Sequence, residues 1–152
     1  MTTAPLLSFD LDRTYPASVE RVFRALSDPE KKRRWFAEGE GFVIDSYTLD
    51  FKVGGFERTR FRFGEGPAMT NDCVYLDIVK NQRLVFAYSM TVGGEPMSSS
   101  LGTIELSPAG SGTLLRLTEH TAYVDGKDGS DGRREGTREL LEALAKELSE
   151  HP

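Results

Sequence analysis

Between Asp45 and Tyr123 the chain reads as six consecutive strand-like segments, and one long amphipathic helix follows them. The segments are Asp45–Val53, Phe56–Phe63, Asp72–Val79, Arg83–Thr91, Ser98–Leu106 and Thr113–Tyr123. Apolar residues recur at every second position, the period of a strand with one covered face. Phe61 and Phe63 share a face opposite Arg58, Arg60 and Arg62; Leu84, Phe86, Tyr88 and Met90 share another. Short breaks separate them: Gly54-Gly55, Gly64-Glu65-Gly66-Pro67, Lys80-Asn81-Gln82, Gly93-Gly94 and Pro108–Gly112. Connections this short join antiparallel neighbours, so the spacing predicts a meander. Such a sheet needs its apolar face covered. The helix predicted over Arg133–Ser149 can do it, because Thr137, Leu140, Leu141, Leu144, Ala145 and Leu148 form one stripe. Gly136 lies on the same side, marking either close helix–sheet approach or room for a guest.

The N-terminal part supplies one more strand and two short helices. Ser8–Tyr15 alternates, with Phe9, Leu11 and Arg13 on one face. Ser18 is placed to cap a helix carrying Val19, Val22, Phe23 and Leu26 at helical spacing. Asp28-Pro29-Glu30 opens a second helix with a capping acid and a proline at its first position. That helix holds Lys31-Lys32-Arg33-Arg34 and closes on Trp35 and Phe36.

The four adjacent cations raise the question of nucleic acid. Across 152 residues, however, 24 acids outnumber 19 basic residues, a net charge of −5. A nucleic-acid binder carries a wider basic footprint, so no nucleic-acid partner is expected. Charges interrupt every apolar run well short of a membrane span, so no membrane association is expected either. Cys73 is the one cysteine and cannot form an intrachain disulfide, which suits a reducing cytoplasm, and no secretory signal is visible.

Residues able to do chemistry are few. The sequence has two histidines, His120 and His151, and lacks the usual nucleophile, phosphate-loop and metal motifs. The aspartates of Asp125–Gly132 do not follow calcium-loop spacing, and no metal or other cofactor is expected. Glu119 stands out, because strand parity sets it with Leu115, Leu117 and Thr121. A carboxylate in an apolar hollow would hold its proton more tightly, since desolvation disfavours the charge. It would then serve as a general acid/base or anchor a ligand's polar end; the alternative is a pairing with a nearby arginine, or a place at the wet rim. Glu57 aligns with Thr59, Phe61 and Phe63 as a second inward acid, and Arg13 is an inward cation suited to an ion pair.

The stretch "RTYPASVERVFRALSDPEKKRRWF" resembles the opening of the START/Bet v 1-like (SRPBCC) superfamily. The likeness is to the group related to the C-terminal domain of the activator of Hsp90 ATPase. "FKVGGFE", "YLDIVKNQRLVFAYSM", "SLGTIELSPAGSGTLLRLTEHTAYVDG" and "REGTRELLEAL" extend it in family order from about Arg13 to Leu148. The resemblance implies a single α+β domain over residues 1–152 with a helix-grip fold. In that fold a curved seven-stranded antiparallel sheet wraps around the long C-terminal helix, two short helices follow the first strand, and a cavity lies between sheet and helix. Trp35 and Phe36 would then point inward and the neighbouring cations outward. Binding of a small hydrophobic or aromatic molecule is the leading expectation. Its walls would be drawn from Trp35, Phe36, Phe61, Phe63, Phe86, Tyr88 and Met90 on one side. Leu117, Glu119, Tyr123, Gly136 and Leu140 would complete them. The alternatives are a polyketide cyclase/aromatase-like or hydrolase-like enzyme using Glu119, and a module that contacts an Hsp90-type chaperone. Self-association into a homodimer through exposed strand or helix surface is a further expectation.

Overall fold

A computed structural model describes residues 3–152 of the chain. In order, the elements are β1 (Leu6–Tyr15), α1 (Val19–Ser27), α2 (Pro29–Lys32), a π-helical turn (Arg33–Ala37), β2 (Phe42–Leu49), β3 (Phe56–Phe63), β4 (Met69–Val79), β5 (Arg83–Val92), β6 (Glu95–Ala109), β7 (Gly112–Tyr123) and α3 (Ser130–Glu150). The strands form one antiparallel sheet ordered β1-β7-β6-β5-β4-β3-β2. With α3 and the two short helices, this is the helix-grip arrangement.

Local chemistry explains the helix starts. Ser18 Oγ accepts from the Arg21 amide at 3.2 Å, and Asp28 Oδ1 accepts from the Lys31 amide at 3.0 Å. Each satisfies a donor that the first helical turn leaves open. Pro29 fits behind the second cap because its missing N–H is not needed there.

Two expectations about local structure are corrected. The second strand runs Phe42–Leu49, not Asp45–Val53. A bulge between Ile44 and Ser46 shifts the parity, so the alternation of this strand cannot be read straight through. The segment after Lys32 widens into a π turn, so Trp35 and Phe36 do not end a regular α-helix.

The apolar end of the interior is sealed by Tyr15, Val22, Leu26, Leu115, Leu144 and Leu148. Burying each leucine contributes roughly 1.5–3 kcal/mol. Polar ties position α3 over this core. Tyr15 donates its hydroxyl to the Leu141 carbonyl at 2.8 Å, and Arg34 grips Glu147 through two bonds of 2.9 and 2.7 Å. Arg13 pairs with Glu142 at 2.8 Å on the β1 side. The backbone of α3 therefore comes closest to the π turn, β1 and α1.

Candidate functional site

Strand register turns the inward face into rows that cross the sheet. One row runs Glu57–Cys73–Tyr88–Ser100–Thr121, from β3 to β7. The row beside it runs Tyr75–Phe86–Gly102–Glu119–Phe9. On the other side lies Thr59–Asn71–Met90–Ser98–Tyr123. The floor below α3 is thus crossed by polar side chains, more of them than the inward acids and tyrosines read from the sequence.

Glu119 faces inward and is 4% exposed. It is not unpartnered. The Tyr88 hydroxyl donates to Oε1 through a very short bond, and Thr121 Oγ1 donates to Oε2 at 2.7 Å. Arg133, in the first turn of α3, places Nη1 3.5 Å from Oε2. The same guanidinium reaches Ser100 Oγ at 3.2 Å, Tyr88 Oη at 3.1 Å and Ser98 Oγ at 2.7 Å. It also lies between the rings of Tyr88 and Tyr123, 5.7 and 5.6 Å from their centroids. Of the alternatives read from the sequence, pairing with an arginine is therefore the one found. Burial, with the Glu119 charge adding to it, raises the Tyr88 phenol above its ordinary range. For Arg133 burial acts downward, but Tyr88, Glu119 and Tyr123 outweigh it and the guanidinium is held more firmly protonated than usual.

A second buried acid centres the other end of the floor. Glu57 is 4% exposed and accepts from Tyr47 at 2.5 Å, Tyr75 at 2.7 Å and Lys32 Nζ at 3.1 Å. The Lys32 ammonium also sits 4.5 Å over the Phe36 ring and 5.5 Å over Trp35. The expectation that all four cations of this segment face solvent is thereby corrected: Lys32 points inward, drawn by a carboxylate that would otherwise be buried unpaired. Cys73, opposite Glu57, has its thiol pushed up to about 12 by burial, with the Glu57 charge adding to it.

The remaining expected wall residues divide. Trp35 and Leu117 belong to the packed core, and the Trp35 indole N–H bonds the Ala25 carbonyl at 2.8 Å. Phe36, Phe86, Tyr88, Met90 and Leu140 are half-buried. Phe61 is buried; Phe63, at the strand end, is half exposed and stacks on Phe42 at 4.5 Å. Tyr123 is buried under Arg133. Gly136 is exposed, and a Cβ added there would meet nothing within 4 Å. That removes close helix–sheet approach as its explanation, and the space beside it opens to solvent. In the Asp125–Gly132 segment two acids close local turns: Asp125 accepts from the Lys127 amide and Asp128 from the Ser130 amide. Among the described residues no group of His, Cys, Asp or Glu is arranged to hold a metal.

Arg133, Ser98, Ser100, Lys32, Tyr47 and Tyr75 are the members that sequence reasoning missed. The signal for the serines was present, since Ser98 and Ser100 share parity with the inward Ile104 and Leu106. Arg133 and Lys32 gave none, because helical periodicity assigns basic residues to solvent by default.

Comparison with known proteins comes to the same architecture. A family model described as Activator of Hsp90 ATPase homolog 1-like protein matches residues 16–149. The solved structure of Mll3558 from Rhizobium loti is 48% identical, with a TM-score of 0.89, covering 95% of this chain and 99% of that one. An uncharacterized protein from Rhizobium leguminosarum is 34% identical, with a TM-score of 0.95 and 99% of both chains covered. DynU16, a protein in the dynemicin biosynthetic locus, shares the fold at 19% identity and a TM-score of 0.68, over 93% of this chain and 47% of that one. No curated protein matches the chain.

Proposed function

We propose that this chain, which belongs to the Activator of Hsp90 ATPase homolog 1-like protein family, binds a small hydrophobic or aromatic molecule between α3 and the inward face of its sheet. One observation carries the reading. Phe86, Tyr88 and Met90 lie on the central strand β5, directed toward the covering helix, yet they stay half-buried together with Leu140. The neighbouring Leu84, Ile104 and Leu115, at the apolar end, are sealed. Apolar surface left partly uncovered in a protein interior favours a guest that removes it from water.

In this reading Glu119 is a wall residue. Tyr88, Thr121 and Arg133 occupy its oxygens, which suits a carboxylate that fixes the geometry of the wall better than one that takes a substrate proton. Gentle purification followed by native mass spectrometry tests the proposal, together with a thermal-shift screen of small aromatic compounds. A ligand that binds only the folded chain must raise its apparent stability. A chain that carries no guest and is stabilised by none of the compounds would overturn the reading.

Contact with an Hsp90-type chaperone is a second reading, supported by the family match alone. Adding the protein to a bacterial Hsp90 and measuring ATPase rate tests it; an unchanged rate removes it.

A further inference from the structure

The two inward acids each have their own inward cation: Lys32 lies 3.1 Å from Glu57, and Arg133 lies 3.5 Å from Glu119. The hydroxyls around them are also committed. Tyr47 and Tyr75 serve Glu57, Tyr88 and Thr121 serve Glu119, and Ser98 and Ser100 receive Arg133. Charge on the floor is thus balanced within the protein, and most hydrogen-bonding capacity is used internally.

One step of the floor is the exception. Thr59 and Asn71 are directly opposite each other on β3 and β4, in the row that continues to Met90 and Ser98. Thr59 is 4% exposed, and its Oγ1 is buried with no hydrogen-bond partner. An unsatisfied buried hydroxyl costs about 1–3 kcal/mol, so one left in place calls for an explanation. Asn71 is half-buried and faces the same way as Thr59 and Ser98. Its neighbours Thr70 and Asp72 face outward and are bonded to Thr91 and Arg60. No side-chain hydrogen bond engages the Asn71 carboxamide among the described residues. Phe61 and Met69 form the next pair along the same strands, and Met90 flanks Asn71 on β5. Thioether side chains adapt their shape readily, so Met69 and Met90 can yield to a ring.

We propose that Thr59 and Asn71 form the polar subsite of the binding pocket, and that the molecule it takes is uncharged. This ligand has an aromatic or hydrophobic body and one hydroxyl or carbonyl group. The group meets the Asn71 carboxamide, which both donates and accepts, and comes within reach of Thr59 directly opposite once the side chains packed over that hydroxyl shift. An ionised ligand is disfavoured, because it would lose its hydration beside cations that internal carboxylates already hold. The inference rests on the pocket reading above and deepens it.

Three probes of one shape test it: naphthalene, 2-naphthol and 2-naphthoate, each titrated into the full chain at neutral pH. Wild type should bind 2-naphthol about five-fold more tightly than naphthalene, the worth of one neutral hydrogen bond, and 2-naphthoate most weakly. In Asn71→Leu the naphthol-to-naphthalene ratio should fall toward one. Thr59→Val, which keeps the shape and removes the hydroxyl, should lower the same ratio. Should Asn71→Leu fail to fold, Thr59→Val and the wild-type ranking still decide. Tightest binding of 2-naphthoate, or a ratio unchanged in the variants, would overturn the subsite. Equal binding of naphthalene and 2-naphthol overturns the subsite and leaves the pocket standing. Binding of none of the three overturns both.

Discussion

Lys32 Nζ lies 3.1 Å from Oε1 of Glu57, with the two side chains 9% and 4% exposed. A pair this deep is costly to break from one side, because the survivor stays buried and uncompensated. Lys32→Met should therefore destabilise the chain by about 3–5 kcal/mol. Lys32→Met combined with Glu57→Gln should recover at least half of that loss, since the amide oxygen still accepts from a tyrosine and no charge is stranded. Urea denaturation of the three chains measures both numbers. A single variant that unfolds at the wild-type midpoint would contradict this account of the pair.

Arg133 joins α3 to three strands through Tyr88, Ser98, Ser100 and Glu119. The start of this helix has little else in its favour. Its N-cap is Gly129, with no side-chain cap bond, and Gly136 costs roughly 1 kcal/mol relative to alanine in a helix interior. Arg133→Met should speed hydrogen exchange of the amides from Ser130 to Thr137 at least ten-fold, with less effect beyond Leu141. Arg133→Lys should restore protection only in part, because one ammonium cannot span the same acceptors. Uniform protection along the helix in Arg133→Met would show that packing alone holds its first turns.

Gly102 lies beneath the Phe86 ring, and a Cβ there would come within 2.5 Å of two ring carbons. Gly102→Ala must push Phe86 aside, at a cost of about 1–3 kcal/mol from overpacking. The ring borders the proposed pocket, so the same change should weaken binding of an aromatic probe. Thermal unfolding and probe titration on one sample check the two effects together.

All five tyrosines have phenols raised above the ordinary value of 10.0, with burial the largest cause in each case. Above pH 10 the unfolded chain releases phenolic protons that the folded chain keeps. The folded state then binds more protons, so stability falls as pH rises through this range. Cys73 acts in the same direction between 9.0 and about 12. Absorbance at 295 nm should show little tyrosinate until the chain unfolds, then a cooperative rise. A thiol reagent at pH 8 should leave Cys73 unmodified until denaturant is added. Tyrosines titrating singly near pH 10 in the folded chain would refute the burial argument.

Much of the fold was legible because it is local. Ser18, Asp28 and Pro29 announce two helices within a few residues, and alternation from Phe56 to Phe63 sets Glu57 and Phe61 inward without reference to the rest of the chain. Glu119 was found the same way, by parity along β7. What failed depends on the third dimension or on a broken period. The Ile44/Ser46 bulge resets the phase of β2, so its start at Phe42 was hidden. Lys32 and Arg133 carry charge, and only the acids opposite them, on other elements, explain why they turn inward. The Thr59–Asn71 step was invisible for another reason: an unused hydrogen bond can be recognised only when every neighbour's partner is known.

The π turn at Arg33–Ala37 sets the aim of Arg34 toward Glu147 and of Trp35 into the core, directly after Lys32 at the end of α2 has turned toward Glu57. Removing one residue there would leave the i→i+5 turn a residue short and draw it toward a regular α turn, changing how Arg34 and Trp35 sit relative to Lys32. The length of this segment is therefore under tighter constraint than the identity of its surface positions. Relatives can be sorted by that count: those one residue shorter between Arg33 and Ala37 are expected to lack the Arg34–Glu147 grip and to carry another tie between this segment and α3.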